Sequence, residues 1–132
     1  MIGLRRQIEF RWAEFSAEGK NFEGLDVVLC RPELADSDIA NAQELAGKMA
    51  VVRRGGIPFQ EKAERVIKAG ALELVIVNTE DTLFEMPPME EGYVAEIPVM
   101  MIRGKDEEAL LAAGDSSCLY SRALLMTLKG HR

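Results

Sequence analysis

The residues best suited to binding chemistry are two arginines followed by two glycines, Arg53, Arg54, Gly55 and Gly56. Guanidinium groups pair with carboxylates through parallel hydrogen bonds, and free backbone N–H groups at a helix N-terminus attract anions. The pattern therefore predicts a site for a carboxylate or carbonyl of a peptide. From local chemistry alone, a plain strand-to-helix turn that needs two permissive residues is favoured over this site.

Side chains for catalysis are scarce in the sequence. The single histidine, His131, lies one residue from the end, where a chain terminus offers no rigid network to orient a catalytic base. Neither a Ser-His-Asp nor a Cys-His arrangement therefore has a credible histidine, and no HExxH motif or cysteine pair at zinc spacing occurs. No Gly-Lys-Ser/Thr follows the glycines, as a phosphate loop requires. We expect a protein that is not an enzyme and uses no metal or cofactor.

The stretch between Thr79 and Ile97 carries six acidic residues, no basic ones and two consecutive prolines, and it predicts a long exposed loop. Its acids lack the spacing of a calcium loop, so a solvated loop is favoured over a metal site. Apolar side chains among the acids suit contacts with a peptide or protein, but they can equally fold back over the sheet edge. Candidate binding residues here are Asn78, for which a structural role as a turn cap is favoured, Glu80, Asp81, Phe84 and Met86.

A strand, a helix and a second strand are predicted to position the two arginines and the acidic loop. Residues 49–53 form a short apolar run typical of a buried strand. Pro58 suits a first helical turn, apolar side chains then recur at helical spacing from Phe59 to Ile67, and Gly70 can end the helix. A second apolar run follows at 72–77, so we predict a right-handed, parallel βαβ unit.

The polar face of the predicted helix carries alternating charges. Glu61 with Arg65, and Glu64 with Lys68, have the spacing of acid-before-base pairs along a helix. Lys62 stands among these glutamates and is expected to be solvated.

The remaining segments complete one α+β domain over residues 1–132. Alternating apolar residues predict a strand at 8–12, followed by a turn at 16–24 and a second strand at 25–30, antiparallel to the first. A strand at 99–102, a helix at 105–113 and a last strand or hairpin within 118–128 follow. The sum is a mixed sheet of about six or seven strands with two short helices.

Bulk properties exclude some functions. The length of 132 residues is that of one domain, and the net charge of −6 argues against a nucleic-acid surface and gives no reason to expect attraction to anionic lipid. Cys30 and Cys118 are expected to be free, buried thiols. The absence of an 18-residue apolar run, a signal peptide and an N-glycosylation sequence favours the cytoplasm, with an endosomal or secretory location as the alternative if the chain is a fragment.

An ordered series of short motifs resembles the protease-associated (PA) domain family over residues 27–114. The series comprises Gly47-Lys48, Arg54-Gly55-Gly56-Ile57-Pro58-Phe59, Lys62, Ala69-Gly70-Ala71, Val75-Ile76-Val77-Asn78 and Ile97-Pro98-Val99-Met100-Met101-Ile102. Two positions depart from the family pattern: Ile57 stands where many members have a cysteine, and Pro58 where a serine would cap the helix. The disulfide of secreted members is therefore not expected.

The resemblance implies an open β-barrel or sandwich with short helices at its side. It also implies a binding role for the loop, since the Arg-Gly loop of vacuolar sorting receptors with this domain takes part in holding cargo peptide. By position, that role falls on Arg54, Gly55 and Phe59.

Our first hypothesis is a non-catalytic module that binds a protein or peptide, and neither nucleic acid nor the membrane interior. The ligand would lie in a groove between the 53–59 loop and the 79–97 loop, with Arg53 and Arg54 on its carboxylates and Phe59 as a core anchor below. The alternative is a substrate-selecting lid or regulatory domain cut from a larger peptidase or sorting receptor.

Overall fold

The computed structural model describes residues 7–18 and 24–121, which form one six-stranded sheet with helices packed on both faces. The strands are β1 (Ile8–Trp12), β2 (Val27–Leu29), β3 (Met49–Arg53), β4 (Glu73–Val77), β5 (Val99–Ile102) and β6 (Leu119–Ser121). The helices are α1 (Ala42–Leu45), α2 (Phe59–Lys68) and α3 (Glu107–Ala113), with 3-10 turns at Gly104–Asp106 and Ser116–Cys118.

The sheet is mixed, and its strand order is β2-β3-β4-β5-β1-β6. Strands β2 to β5 run parallel, β1 is antiparallel to β5, and β6 is parallel to β1. The predicted parallel pairing of the βαβ unit is confirmed, because β3 and β4, which α2 connects, pair in parallel from Met49 opposite Glu73 to Arg53 opposite Val77.

Two predictions about the sheet differ from the structure. The predicted antiparallel pairing of the first two strands is wrong, since β3, β4 and β5 lie between β1 and β2. The mixed sheet with a few helices is the predicted α+β arrangement, but the barrel is not confirmed. Within the described residues β2 and β6 are the two edges, and no pairing closes the sheet.

The core has two layers because successive residues of a strand point to opposite faces of the sheet. On one face, α2 packs Ala63 and Val66 against one set of strand residues, and on the other face α3 packs Leu110 against the alternate set. Coverage on both sides explains why every residue of β4 is buried, as is typical of parallel strands. The first set includes Ala50, Val52, Leu74, Ile76 and Met101, and the second includes Met49, Val51, Val75, Val77 and Met100.

The end of α2 depends on a glycine. Gly70 has a φ of 95°, a left-handed conformation that disfavours other residues. Its N–H donates to the Ile67 carbonyl, and the next N–H, of Ala71, donates to the Val66 carbonyl. The turn brings the chain directly back into β4.

Neither cysteine forms a disulfide within the described residues, and both side chains are fully buried. Cys30 belongs to the core cluster under α2 and Cys118 to the cluster under α3, so the sheet separates the two thiols.

Some predictions lie partly or wholly outside the described residues. The predicted last strand begins as β6, but its continuation to residue 128 and the single histidine, His131, lie outside, as does part of the predicted 16–24 turn. Within 7–18 and 24–121, the helices are too short or too polar to traverse a bilayer.

Candidate functional site

The carboxyl ends of the parallel strands β3 and β4 place the two arginines and the polar residues beyond β4 on the same edge of the sheet. Ligands of open sheets with helices on both faces commonly bind at this edge. Arg53 is the last residue of β3, Arg54 follows it, and Asn78 follows β4. These three residues begin the candidate site.

The charge of Arg53 is paired inside the protein. Its Nε donates to Glu107 at 2.7 Å and one terminal nitrogen donates to Glu33 at 2.6 Å. The hydrogen bond to Glu107 is the main cause that raises the pKa of Arg53. Two carboxylates thus already occupy the guanidinium that was expected to meet a ligand.

Arg54 is held differently, by neutral groups. Its N–H donates to the Val77 carbonyl at 2.9 Å, and its guanidinium donates to Asn78 Oδ1 at 2.8 Å. The guanidinium carbon lies 5.1 Å from the centre of the Phe84 ring, which is cation–π distance. No carboxylate of the described residues forms an ion pair with Arg54.

Asn78 is the residue that orients Arg54. It is almost completely buried, and its Nδ2 donates to the carbonyl and hydroxyl oxygens of Thr82 at 2.8 and 3.3 Å. Its backbone N–H donates to the Ile102 carbonyl. Asn78 therefore joins the end of β4, the following turn and Arg54 into one network.

The glycine turn adopts the conformations for which glycine is needed. Gly55 and Gly56 have φ values of 120° and 83°, and a Cβ on Gly56 would lie 3.3 Å from a carboxylate oxygen of Asp36. Within the described part of the chain, the N–H groups of both glycines have no hydrogen-bond acceptor, and Pro58 gives α2 no side-chain cap. The turn thus presents free backbone donors beside Arg54.

The predicted solvent exposure of Lys62 is wrong. The side chain is fully buried instead of solvated, and its ammonium donates to the carbonyl oxygens of Leu34 at 2.5 Å and Gly55 at 2.6 Å. Burial is the main cause that lowers the pKa of Lys62. Lys62 therefore connects the glycine turn to segment 33–36. The glutamates beside it in sequence suggested an exposed lysine, and only its position in the motif series indicated another role.

The acidic loop is fastened at its start, directly after Asn78 and Thr79. The Glu80 carbonyl accepts from Gly104 N–H at 3.0 Å, and Asp81 Oδ1 accepts from Lys105 N–H at 2.9 Å. These bonds engage Glu80 and Asp81 with the chain that follows β5, while both side chains remain exposed.

Gln60 was not singled out from the sequence, yet it anchors the far side of the acidic loop. It is buried, its Oε1 accepts from the N–H groups of Met89 and Glu90 at 2.8 and 3.1 Å, and its Nε2 donates to the Glu90 carboxylate at 2.9 Å. A glutamine in the first turn of a helix carries no sequence signal for such a role.

Phe84 and Met86 have different positions. Phe84 is half-buried and packs on Phe59, with ring centres 5.9 Å apart, so the two loops touch at this point. Met86 is completely buried in the core, which corrects its selection as a contact residue, because its side chain offers no surface to a partner. We call the surface formed by Arg54, Gly55, Gly56, Phe59 and Phe84 the Arg54 surface.

In the described ranges, no group of three or more histidine, cysteine, aspartate or glutamate side chains is placed to hold a metal ion.

The fold and the motif order define the class of this protein. The model of the PA domain family matches residues 13–110, and the chain belongs to that family, as the motif series predicted. It is 39% identical over 64 residues to the aminopeptidase YwaD of Bacillus subtilis, which covers 48% of this chain and 14% of that protein. It is 35% identical over 114 residues to the ER degradation-enhancing alpha-mannosidase-like protein 3 of Xenopus laevis, which covers 76% of this chain and 12% of that protein.

A solved structure agrees with these relatives. The zinc aminopeptidase BSAP from Bacillus subtilis superposes with a TM-score of 0.63 and 25% identity, covering 82% of this chain and 26% of that one. The chain therefore spans only a small part of the proteins that it resembles, and it corresponds to their PA domain.

Proposed function

We propose that this domain is a non-catalytic module that binds a segment of a partner protein at the Arg54 surface. The observation that carries the proposal is the state of Arg54. Asn78 and Phe84 orient its guanidinium, but no described carboxylate neutralises it. An oriented, uncompensated arginine is suited to a bidentate bond with a carboxylate.

The neighbouring groups extend this chemistry. A guanidinium has five N–H donors, and Asn78 takes one of those of Arg54. The free N–H groups of Gly55 and Gly56 can donate to a carbonyl oxygen or to a second carboxylate oxygen of the ligand. The Phe84 ring supplies an apolar contact beside them.

The relatives support a role that is separate from catalysis. One is named an aminopeptidase and another an alpha-mannosidase-like protein, so proteins named for different reactions share this segment. A segment common to both is suited to recognition, while the reaction is carried elsewhere in each protein.

A second candidate is a substrate-selecting or regulatory domain within a larger peptidase. It is favoured by the small share of each relative that the chain spans, 14% of the aminopeptidase and 11% of the minor extracellular protease Vpr of Bacillus subtilis. In that setting the segment bound at the Arg54 surface would belong to the substrate.

The test compares two arginines that differ only in their partners. Peptides selected by the immobilised domain from a random heptapeptide library are titrated against wild type, Arg54→Gln and Arg53→Gln by fluorescence anisotropy. Charge-assisted hydrogen bonds are worth about 1.5–3 kcal/mol, so Arg54→Gln is expected to weaken binding about tenfold or more. Arg53→Gln, which removes the same charge, is expected to stay within about twofold.

Equal losses in the two variants would show that net charge, and not the Arg54 surface, holds the peptide. Unchanged binding by a folded Arg54→Gln variant, or a library that yields no binder, would also refute the proposed function. Circular dichroism of each variant checks the fold.

A further inference from the structure

A concave surface lies at the C-terminal end of α2. An open groove of about 550 Å³ separates the 37–42 segment from the C-terminal half of the helix. This volume falls within the range of ligand pockets, about 300–1,000 Å³. The Arg54 surface adjoins the N-terminal end of α2, so the groove is a different site.

The lining of the groove combines two chemistries. Ile39, Ala42 and Ala69 contribute apolar surface, while Arg65 and Lys68 from α2 contribute two cations. A single carboxylate, that of Asp38, also lines it. Two positive groups and one negative group make the groove locally cationic on a chain whose net charge is −6.

The two cations form no ion pair with any described residue. The helical spacing predicted two ion pairs, one between Glu61 and Arg65 and one between Glu64 and Lys68. Neither ion pair is present in the structure. Across residues 7–18 and 24–121, no carboxylate oxygen lies within 4.0 Å of a side-chain nitrogen of Arg65 or Lys68. The positive charge of Arg65 reaches Lys62, where it adds to burial in lowering the pKa of that lysine.

We infer that this groove binds an acidic segment of a partner polypeptide. The carboxylates of that segment would pair with Arg65 and Lys68, and an adjacent apolar side chain would pack on the apolar lining of the groove. Charge complementarity argues for the carboxylates. The apolar lining argues for a polypeptide over a small inorganic anion, because an anion would pair with the two cations and leave the apolar lining exposed to water. The groove shares no lining residue with the Arg54 surface, so the two sites can be tested separately.

The test uses a fluorescein-labelled peptide, Ala-Glu-Glu-Leu-Ala-Glu, and the same peptide with glutamine in place of each glutamate. Exposed ion pairs are worth about 0.2–1 kcal/mol each, so two pairs should make the acidic peptide bind about fivefold tighter than its neutral analogue. The double variant Arg65→Gln/Lys68→Gln is expected to abolish that preference.

A charge-matched control separates local pairing from the overall charge. Lys48→Gln/Lys105→Gln removes two other lysines that have no ion pair among the described residues, and gives the same net charge. It is expected to retain the preference. Arg54→Gln should also retain it, so failure of this inference and failure of the proposed function are distinguishable.

The inference would be overturned by equal affinity for the acidic and neutral peptides or by equal losses in the two double variants. Full displacement of the acidic peptide by millimolar inorganic phosphate would also overturn it. If the double variant does not fold, Lys68→Gln alone, at an exposed position, is expected to reduce the preference about twofold. NMR shift changes centred on Ile39, Ala42 and Ala69 are expected to place the peptide in the groove, and their absence there would refute it.

Discussion

Replacing Lys62 with methionine is expected to lower the free energy of unfolding by about 2–4 kcal/mol. The substitution removes the ammonium from the carbonyl oxygens of Leu34 and Gly55, both within 2.6 Å. Each buried acceptor left without a donor costs about 1–3 kcal/mol. Methionine fills a similar volume, and it removes the cost of desolvating a buried charge, which offsets part of the loss.

Urea unfolding followed by circular dichroism measures this change. With a slope of about 2 kcal/mol per molar urea, the middle of the range for small proteins, the midpoint should fall by about 1–2 M. Lys68→Met, on the same helix but exposed, is the matched control and should shift stability by less than about 0.5 kcal/mol. A Lys62→Met variant as stable as the control would refute the view that Lys62 holds the glycine turn.

The pH dependence of the free energy of unfolding, measured for wild type and Lys62→Met, provides a second test. Because burial lowers the pKa of Lys62 below 10.5, the folded protein releases the proton at a lower pH than the unfolded chain. Between those two pKa values the unfolded chain binds more protons, so the contribution of Lys62 to stability rises with pH. The stability difference between wild type and Lys62→Met should therefore grow towards pH 10.5, and a difference that shrinks would contradict the assigned shift.

Two further predictions concern packing. Gly104→Ala is expected to destabilise the protein by about 1–3 kcal/mol, since the new Cβ would lie 2.7 Å from the Asn78 carbonyl oxygen; thermal unfolding measures it, and an unchanged midpoint would contradict the close contact. The thiols of Cys30 and Cys118, both fully buried, are expected to react with a thiol reagent far more slowly in the native protein than in guanidinium chloride, and rapid native labelling of either would contradict its burial.

The βαβ unit could be predicted because its information is local. The apolar run of β3, the helical spacing from Phe59 onward and Gly70 at the helix end each act within a few residues, and the structure has these elements at those positions. The motif order then predicted the family.

The sheet edges could not be predicted in the same way. Alternation in 8–12 indicates a strand but does not say which strand lies beside it, and β1 pairs with β5 and β6, distant in sequence. The sequence predicts pairing with the next strand along the chain, whereas in the structure β1 pairs with strands that are distant in sequence.

The sequence predicted which residues lie at the candidate site, but it did not predict the side chains that they contact. Arg53 and Arg54 are adjacent and chemically identical, yet only the fold places Glu33 and Glu107 beside the first and Asn78 and Phe84 beside the second. Burial of a lysine is rare without compensating partners, so sequence reasoning placed Lys62 in solvent. Its carbonyl partners become visible only when segment 33–36 is in place.

The hydrogen bonds of Gln60 have a consequence for how binding proceeds. They fix the Met89 and Glu90 amides before any ligand arrives, and contact of Phe59 with Phe84 fixes the other side of the same loop. A surface held in this way loses little conformational entropy when a ligand docks. The binding that we propose for the Arg54 surface should then follow a single bimolecular phase, without the slow rearrangement of a loop that must first close.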